Sequence, residues 1–403
     1  MSIWLKKNRI IVTCAKGVSP YLQDELRILN FPILMVGEAA VETEGFLEDT
    51  MTLGLQLRTA HRVLYLYHAF TARTIQELYG NLVLLPWEEV LEADGYVCVT
   101  SFVDNPTIHD GRIVNLKGKD ALVDRFRRIS DRRPDSGAAR DRTVIHLYWR
   151  QNQVLVYLDA SGEALSKRGY RKIPLQAPMQ ETLAAAVIMA AGWQGEGNFI
   201  NPMCGSGTLA IEAALIALDR APGLVRNNFG FMHLKGFQPS RWRDMRTTAR
   251  KAVRKQLPGK ILATDIRKEA VDAAVQNART AGVDHLIEFA VCDYRETPIP
   301  EGNGMIVINP PYGERLGQIS ALEVIYQGIG DFFKLRGMGY KGFVFTGNLD
   351  LAKKIGLKTK RKIPFYNGEI ECRLLAYELY TGSRKHQDAT ITENPTDNGE
   401  EDL

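Results

Sequence analysis

The run Gly304-Met305-Ile306-Val307-Ile308 is apolar throughout and stops at Asn309-Pro310-Pro311-Tyr312. A short, unalternating apolar run closed by turn residues reads as a strand buried on both faces, the habit of parallel sheets covered by helices. That points to an α/β fold, in which the carboxyl ends of the strands carry the chemistry. Two consecutive prolines fix φ and cannot extend a ladder, so the Asn309 amide oxygen and the Pro310 carbonyl can be held as convergent acceptors. A planar exocyclic amino group on a nucleobase suits such acceptors, and Tyr312 offers a face for stacking. The segment supplies no nucleophile, strong acid or metal ligand. Read alone, it is equally a strand followed by a proline turn.

Three more apolar strands end in the same kind of signal. Gly197 to Asn201 runs through Pro202-Met203-Cys204 into the turn Gly205-Ser206-Gly207-Thr208, and a helix is predicted from Leu209 to Leu218. The glycines let backbone approach a ligand, and Thr208 stands at a helix start, where unpaired N–H groups point outward. The spacing is neither G-x-G-x-x-G nor G-K-[ST], which disfavours a dehydrogenase or a nucleotide triphosphatase. Lys260 to Thr264 ends in Asp265-Ile266, with a helix over 267–281. The acid is placed to accept the hydroxyls of a ribose. Leu286 to Val291 ends in Cys292-Asp293-Tyr294, whose carboxylate could take an adenine amino group. Each acid alone is more often an ordinary strand-end or helix-capping residue. Together these strand ends feed one crevice of a doubly wound sheet.

These residues carry a resemblance. The order of glycine-rich turn, ribose acid, adenine acid and Asn-Pro-Pro-Tyr resembles the S-adenosylmethionine-dependent methyltransferases that modify exocyclic amino groups of bases. More narrowly, Lys167-Arg168-Gly169-Tyr170-Arg171, the stretch Ala177 to Ala186, Asn201 to Thr208, and Asn309 to Arg315 resemble the THUMP-containing methyltransferases that act on guanine N2 in 23S ribosomal RNA. The likeness runs from about Ile10 to Tyr380. It implies a Rossmann-like class I methyltransferase domain with a seven-stranded sheet, preceded by a ferredoxin-like plus THUMP α+β region. It implies that Asn309, Pro310, Pro311 and Tyr312 are catalytic. Cofactor contacts are implied for Glu181, Thr182, Asn201, Pro202, Met203, Cys204, Gly205, Ser206, Gly207, Thr208, Asp265, Ile266, Asp293, Tyr294 and Asn309. RNA contacts are expected from Lys167, Arg168, Tyr170, Arg171 and Arg315, joined by Arg127 and Arg128. The family usually has Asp where this chain has Asn201, which removes a negative charge near the cationic cofactor and is expected to weaken its binding. Some relatives carry a second methyltransferase domain behind the first. This chain continues into an acidic tail, so a second activity is expected elsewhere.

Composition bounds the rest. The chain has 403 residues, 45% hydrophobic and 24% charged, enough for two or three domains. No apolar stretch approaches a membrane span, Met1 to Arg9 lacks the apolar core of a signal peptide, and the five scattered cysteines form no Cys-x-x-Cys pair. Neither disulfides nor a metal are expected, and a cytoplasmic location is. Residues 383–403 carry six acids against Arg384 and Lys385 and read as a disordered tail. The folded part is correspondingly more basic than the net charge of +4, with arginine clusters over 112–150 and 241–255. Such clusters fit either a solvated helix face or a surface that follows RNA phosphates.

The N-terminal part alternates short strands and helices. Strands are predicted over 9–14, 40–43 and 62–70 and helices over 19–29 and 46–57. A second unit follows, with a helix from Thr74, strand 96–102, helix 114–129, and strands 143–149 and 153–158 joined at Arg150-Gln151-Asn152. The expected divisions are 1–66 ferredoxin-like, 67–165 THUMP, 166–382 methyltransferase and 383–403 tail. In the last domain a helix is expected over 178–191, a strand over 342–346, and a hairpin of 358–364 with 370–380 around Asn367-Gly368. Three functions fit: a guanine-N2 methyltransferase of 23S ribosomal RNA, an adenine-N6 or cytosine-N4 nucleic-acid methyltransferase, and an RNA-binding protein without activity. The substrate in each is a nucleic acid; the modified nucleotide and the oligomeric state are not legible.

Overall fold

The protein was analysed as a computed structural model that describes residues 2–130, 132–173, 175, 179–312 and 319–379. Its strands gather into two sheets. The first sheet holds β1 (Lys7–Thr13), β2 (Met35–Val36), β3 (Ala40–Phe46), β4 (Arg62–Thr71), β5 (Tyr96–Asp104), β6 (Asp135–Ser136), β7 (Thr143–Arg150) and β8 (Gln153–Asp159). Its helices are α1 (Ser19–Ile28), α2 (Asp49–Gln56), α3 (Ile75–Leu84) and α4 (Gly111–Ser130). Alternate residues are fully buried, as in Ile145, Leu147 and Trp149 of β7 and Val154, Val156 and Leu158 of β8, the period-two pattern of a sheet with one covered face. The strand order is β2-β3-β1-β4-β8-β7-β5-β6.

The two α+β units expected here share this one sheet. The boundary at 66/67 falls inside β4, which pairs with β1 on one side and with β8 on the other, across a bulge between Leu66 and His68. Local pattern cannot reveal a pairing between segments so far apart in sequence. The strand expected over 40–43 continues to Phe46, and α2 begins only at Asp49, whose carboxylate accepts the Phe46 N–H at 2.7 Å.

The second sheet holds β9 (Asn198–Pro202), β10 (Ile261–Asp265), β11 (Ile287–Val291), β12 (Gly304–Ile308), β13 (Tyr340–Thr346), β14 (Arg361–Asn367) and β15 (Ile370–Glu378). Its order, β11-β10-β9-β12-β13-β15-β14, is seven-stranded and doubly wound as expected, with β15 antiparallel to both β13 and β14. The helices are α5 (Glu181–Ala191), α6 (Thr208–Ala217), α7 (Pro239–Lys251), α8 (Lys268–Ala281), α9 (Ile319–Arg336) and α10 (Leu349–Lys353). The long helix α9 was not anticipated from the sequence. The β14–β15 hairpin turns at Gly368-Glu369, since Asn367 pairs with Ile370, and Gly368 takes the positive φ of 64°. α5 starts at Glu181 rather than 178. Residues 177, 178 and 380–403, and with them the acidic tail, lie outside the described residues.

β9 pairs with β10 on one side and with β12 on the other. The order reverses there, so the carboxyl ends of these strands open a crevice at the switch point. One apolar core runs through both halves, from Leu22 and Val63 to Ala184 and Phe365. No helix among the described residues is long and apolar enough to cross a membrane.

Candidate active site

The glycine-rich turn after β9 takes its shape from three left-handed residues, Met203 (φ 55°), Gly205 (φ 56°) and Gly207 (φ 83°). Met203 has a side chain and pays strain for this conformation, which proteins tolerate mainly at functional sites. A Cβ on Gly207 would lie 2.8 Å from that of Ala274 on α8, so glycine is needed there for closeness as well as for φ. The Cys204 N–H donates to the Thr264 carbonyl at 2.9 Å, which fastens the turn to β10. Burial pushes the Cys204 thiol far up, which keeps it protonated at neutral pH.

Asp265, at the end of β10, accepts the Gly205 N–H on Oδ2 and the Arg267 N–H on Oδ1, each at 3.0 Å. A carboxylate has about four acceptor positions, so capacity remains for a ligand. Ile266 is 66% exposed on the same wall. Asp293 caps a short turn and is gripped by Arg295, whose Nε and Nη2 lie 2.8 and 2.9 Å from its two oxygens. The Arg295 guanidinium holds that carboxyl below its usual range. The acid offered to an adenine amino group thus already shares its oxygens.

At the end of β12 the Asn309 Oδ1 is buried and has no hydrogen-bond partner among the described residues. Tyr312 lies against Gly347, where a Cβ would come 3.0 Å from its ring, and its phenol is pushed up to about 12 by burial. These residues line one cavity of 1040 Å³ together with Met203, Cys204, Gly205, Ser206, Thr208, Asp265, Asp293, Tyr294, Pro310, Pro311, Leu175, Met179, Asn367 and Ile370.

Several expected cofactor residues do not line this cavity. Asn201 is fully buried and its Nδ2 donates to the Val307 carbonyl at 2.8 Å, which ties β9 to β12, while its Oδ1, like the Thr182 hydroxyl, has no partner among the described residues. Pro202, Gly207, Glu181 and Thr182 do not line the cavity. Glu181 pairs with Arg171 at 3.4 Å, and burial pushes its carboxyl up.

The expected RNA contacts of Lys167-Arg168-Gly169-Tyr170-Arg171 need correction. Arg168 and Tyr170 are each 1% exposed. Arg168 donates to both oxygens of Glu212 at 2.7 and 3.1 Å, and the Tyr170 hydroxyl donates to the same carboxylate at 3.0 Å. Glu212 sits in the otherwise apolar helix α6, and a buried acid there demands a buried cation. Neither side chain can reach RNA. Arg171 donates to the Met179 carbonyl and the Thr208 hydroxyl, on the cavity side. Lys167, Arg127 and Arg128 are exposed, while Arg315 lies outside the described residues. Asn367 and Ile370 were missed because Asn-Gly reads as a turn; Arg295 could have been found from its position two residues after Asp293.

Residues 168–376 match the methyltransferase domain described as RMKL-like, and residues 9–64 match the RlmL ferredoxin-like domain. The chain is 38% identical over 382 residues to the ribosomal RNA large subunit methyltransferase K/L of Syntrophotalea carbinolica, covering 92% of this chain and 53% of that protein. It spans about half the length of the K/L relatives it matches. With slr0064 of Synechocystis, named as an RNA methyltransferase, it shares 33% identity over 91% of this chain and 96% of the relative. The crystal structure of SMU.472, named as a methyltransferase and complexed with SAH, superposes with a TM-score of 0.84 at 28% identity, covering 94% of this chain and all of that one. A Listeria monocytogenes protein named as an N6-adenine-specific DNA methylase superposes at 0.83, with 29% identity over 93% of this chain and 96% of that one.

Fold and strand-end site together define the class I methyltransferases. Within that class, the chain belongs to the family with the RMKL-like methyltransferase domain.

Proposed function

We propose that this chain methylates the exocyclic N2 of a guanine in 23S ribosomal RNA, in the cytoplasm, with S-adenosylmethionine as the methyl donor. The observation that carries the reading is the Asn309 amide oxygen, a buried acceptor with no partner among the described residues on the wall of a cavity large enough for a cofactor and a base. A buried acceptor left unpaired is costly and is tolerated where a ligand completes it. The names of the K/L relatives support ribosomal RNA as the substrate.

The cavity fits the proposed donor. Asp265 has acceptor capacity for ribose hydroxyls, Ile266 gives an apolar surface for an adenine ring, and the Gly205 turn allows close backbone approach. S-adenosylmethionine, when bound, supplies an electrophilic methyl group on a sulfonium. The chain's own residues do the rest. A guanine leaves its stack at a cost of about a few kcal/mol and lies against the Tyr312 ring. Asn309 Oδ1 and the Pro310 carbonyl accept its two amino hydrogens, which fixes the nitrogen lone pair and favours the pyramidal nitrogen of the transition state. Tyr312, with its phenol pushed up to about 12, remains neutral and serves as a stacking surface. Among the described residues no side chain near Asn309 is a strong base, so the amino proton departs to water or a neighbouring acceptor.

The test is methyl transfer from labelled S-adenosylmethionine to unmodified 23S ribosomal RNA, with nucleosides identified by mass spectrometry. N2-methylguanosine should form, and Asn309→Ala should lower its rate by about 10²–10³, as for other lost transition-state contacts. Methyladenine as the product would instead support the reading that the Listeria neighbour's name suggests.

A further inference from the structure

With Arg168 and Tyr170 spent on Glu212, the cations that meet RNA must be sought elsewhere. A second concentration lies near the C-terminal end of the described chain: six cationic side chains fall between Lys353 and Lys362, and no acid occurs from Leu351 to Gly368. Lys353, Lys354 and Lys360 pair with Asp350, Glu323 and Glu378. Lys358, Arg361 and Lys362 are exposed and, among the described residues, make no ion pair. They lead into β14, the edge strand of the catalytic sheet.

The other end of β14 is part of the cavity. Asn367 lines it and donates to the Tyr312 hydroxyl. Six strand steps separate Arg361 from Asn367, about 20 Å, so unpaired positive charge begins at the strand's start and the base pocket lies at its end. The N-terminal half packs against this strand: Lys16 Nζ, ion-paired with Glu38 at 2.9 Å, stands 4.9 Å over the Tyr366 ring, and Tyr21 stacks on Phe365 with centroids 5.8 Å apart.

Lysines on edge strands commonly guard against strand addition. This edge already has two guards: Pro364 removes a ladder N–H, and the turn at Gly17 seats so closely that a Cβ there would lie 3.0 Å from the Pro364 carbonyl. Protection of the edge therefore does not account for the density of charge where the strand begins.

We propose that the β14 edge, through Lys358, Arg361 and Lys362, binds phosphates of the RNA strand that carries the target base and leads that strand to the Tyr312 pocket. The proposal rests on the reading of the site as an RNA base methyltransferase. The experiment uses the full chain, with Lys358→Gln/Arg361→Gln/Lys362→Gln beside a charge-keeping Lys358→Arg/Arg361→Lys/Lys362→Arg variant. Binding is measured over a range of salt to two probes, a 23S ribosomal RNA transcript and single-stranded oligouridylate. Three lost phosphate contacts should lower the slope of log affinity against log salt by about 2 and weaken binding at least tenfold near 0.1 M salt. The charge-keeping variant should restore both, and SAH affinity should stay within twofold in all. Unchanged slope and affinity on both probes would overturn the proposal, as would a loss that the charge-keeping variant shares. Phosphate binding is indifferent to sequence, so a reduced slope on oligouridylate supports the β14 track even if ribosomal RNA proves not to be methylated, and that second result would count against the functional reading alone.

Discussion

Asn367 Nδ2 donates a hydrogen bond of 3.0 Å to the Tyr312 hydroxyl, joining the tip of one hairpin to the loop that ends β12, 55 residues away in sequence. Tyr312 is thereby held at both ends, by the chain at Pro311 and by its phenol oxygen. A stacking surface is useful only when its plane is fixed before the base arrives. Tyr312→Phe and Asn367→Ala should each weaken substrate use by about fivefold, the worth of one ordinary hydrogen bond, mainly as a higher KM. The double variant should be no worse than either single one, because both remove the same contact. Additive losses in steady-state kinetics would mean that Asn367 acts independently of Tyr312.

Asp265 accepts two backbone N–H groups and keeps capacity toward the cavity. Hydrogen bonds to a charged acceptor are worth about 1.5–3 kcal/mol, so Asp265→Ala should raise the Kd for SAH in calorimetry by about 10–100-fold. An affinity within twofold of the parent would remove Asp265 from the cofactor site.

Arg168 and Glu212 form a buried ion pair in the methyltransferase half, and Arg168 crosses to the N-terminal half by donating to the Arg58 carbonyl. Arg168→Met leaves the Glu212 charge without its partner and should cost about 3–5 kcal/mol of stability in urea unfolding. Arg168→Met/Glu212→Met removes both charges and should recover much of that loss. RNA affinity of the double variant should match the parent, since neither group is exposed; a loss of affinity in a fully folded double variant would reopen an RNA role for Arg168.

His61 is held neutral by burial, its imidazole pushed down to about 4, and its Nε2 has no partner among the described residues. The unfolded chain protonates this ring near pH 6.5, so between pH 6.5 and 4 the unfolded state binds the extra proton and stability falls as pH drops. The loss ends below pH 4, where the folded ring also protonates. His61→Gln should remove up to about 3 kcal/mol of that acid sensitivity, read as the difference between the two unfolding profiles. Parallel profiles across this window would mean that the ring is not buried neutral.

The methyltransferase half was readable because its candidate site sits at strand ends. The runs before Asn309, Asp265 and Asp293 are short, apolar and punctuated, and each was found within a residue or two of its place. The basic segment at 167–171 misled because a charge pattern does not say what faces it. The missing clue was Glu212, a lone acid among Leu209, Ala210, Ile211, Ala213, Ala214 and Leu215 that could not be buried without a cation. The pairing of β4 with β8 and the contact of Asn367 with Tyr312 were illegible for another reason. Both are long-range, and neither residue type nor spacing marks them.

The pairing of β4 with β8 also sets an order of events during synthesis. β4 is complete at Thr71, yet the strand that covers its second edge begins only at Gln153. At about 5–20 residues per second, a nascent chain carries that edge uncovered for roughly 4–16 s. Its outer-facing Leu64 and Leu66, buried once β8 is in place, stand open to other chains throughout that interval. Slowed translation between these points would lengthen the exposure without changing a single contact of the finished protein, and yield of native protein would then depend on codon choice and chaperone supply.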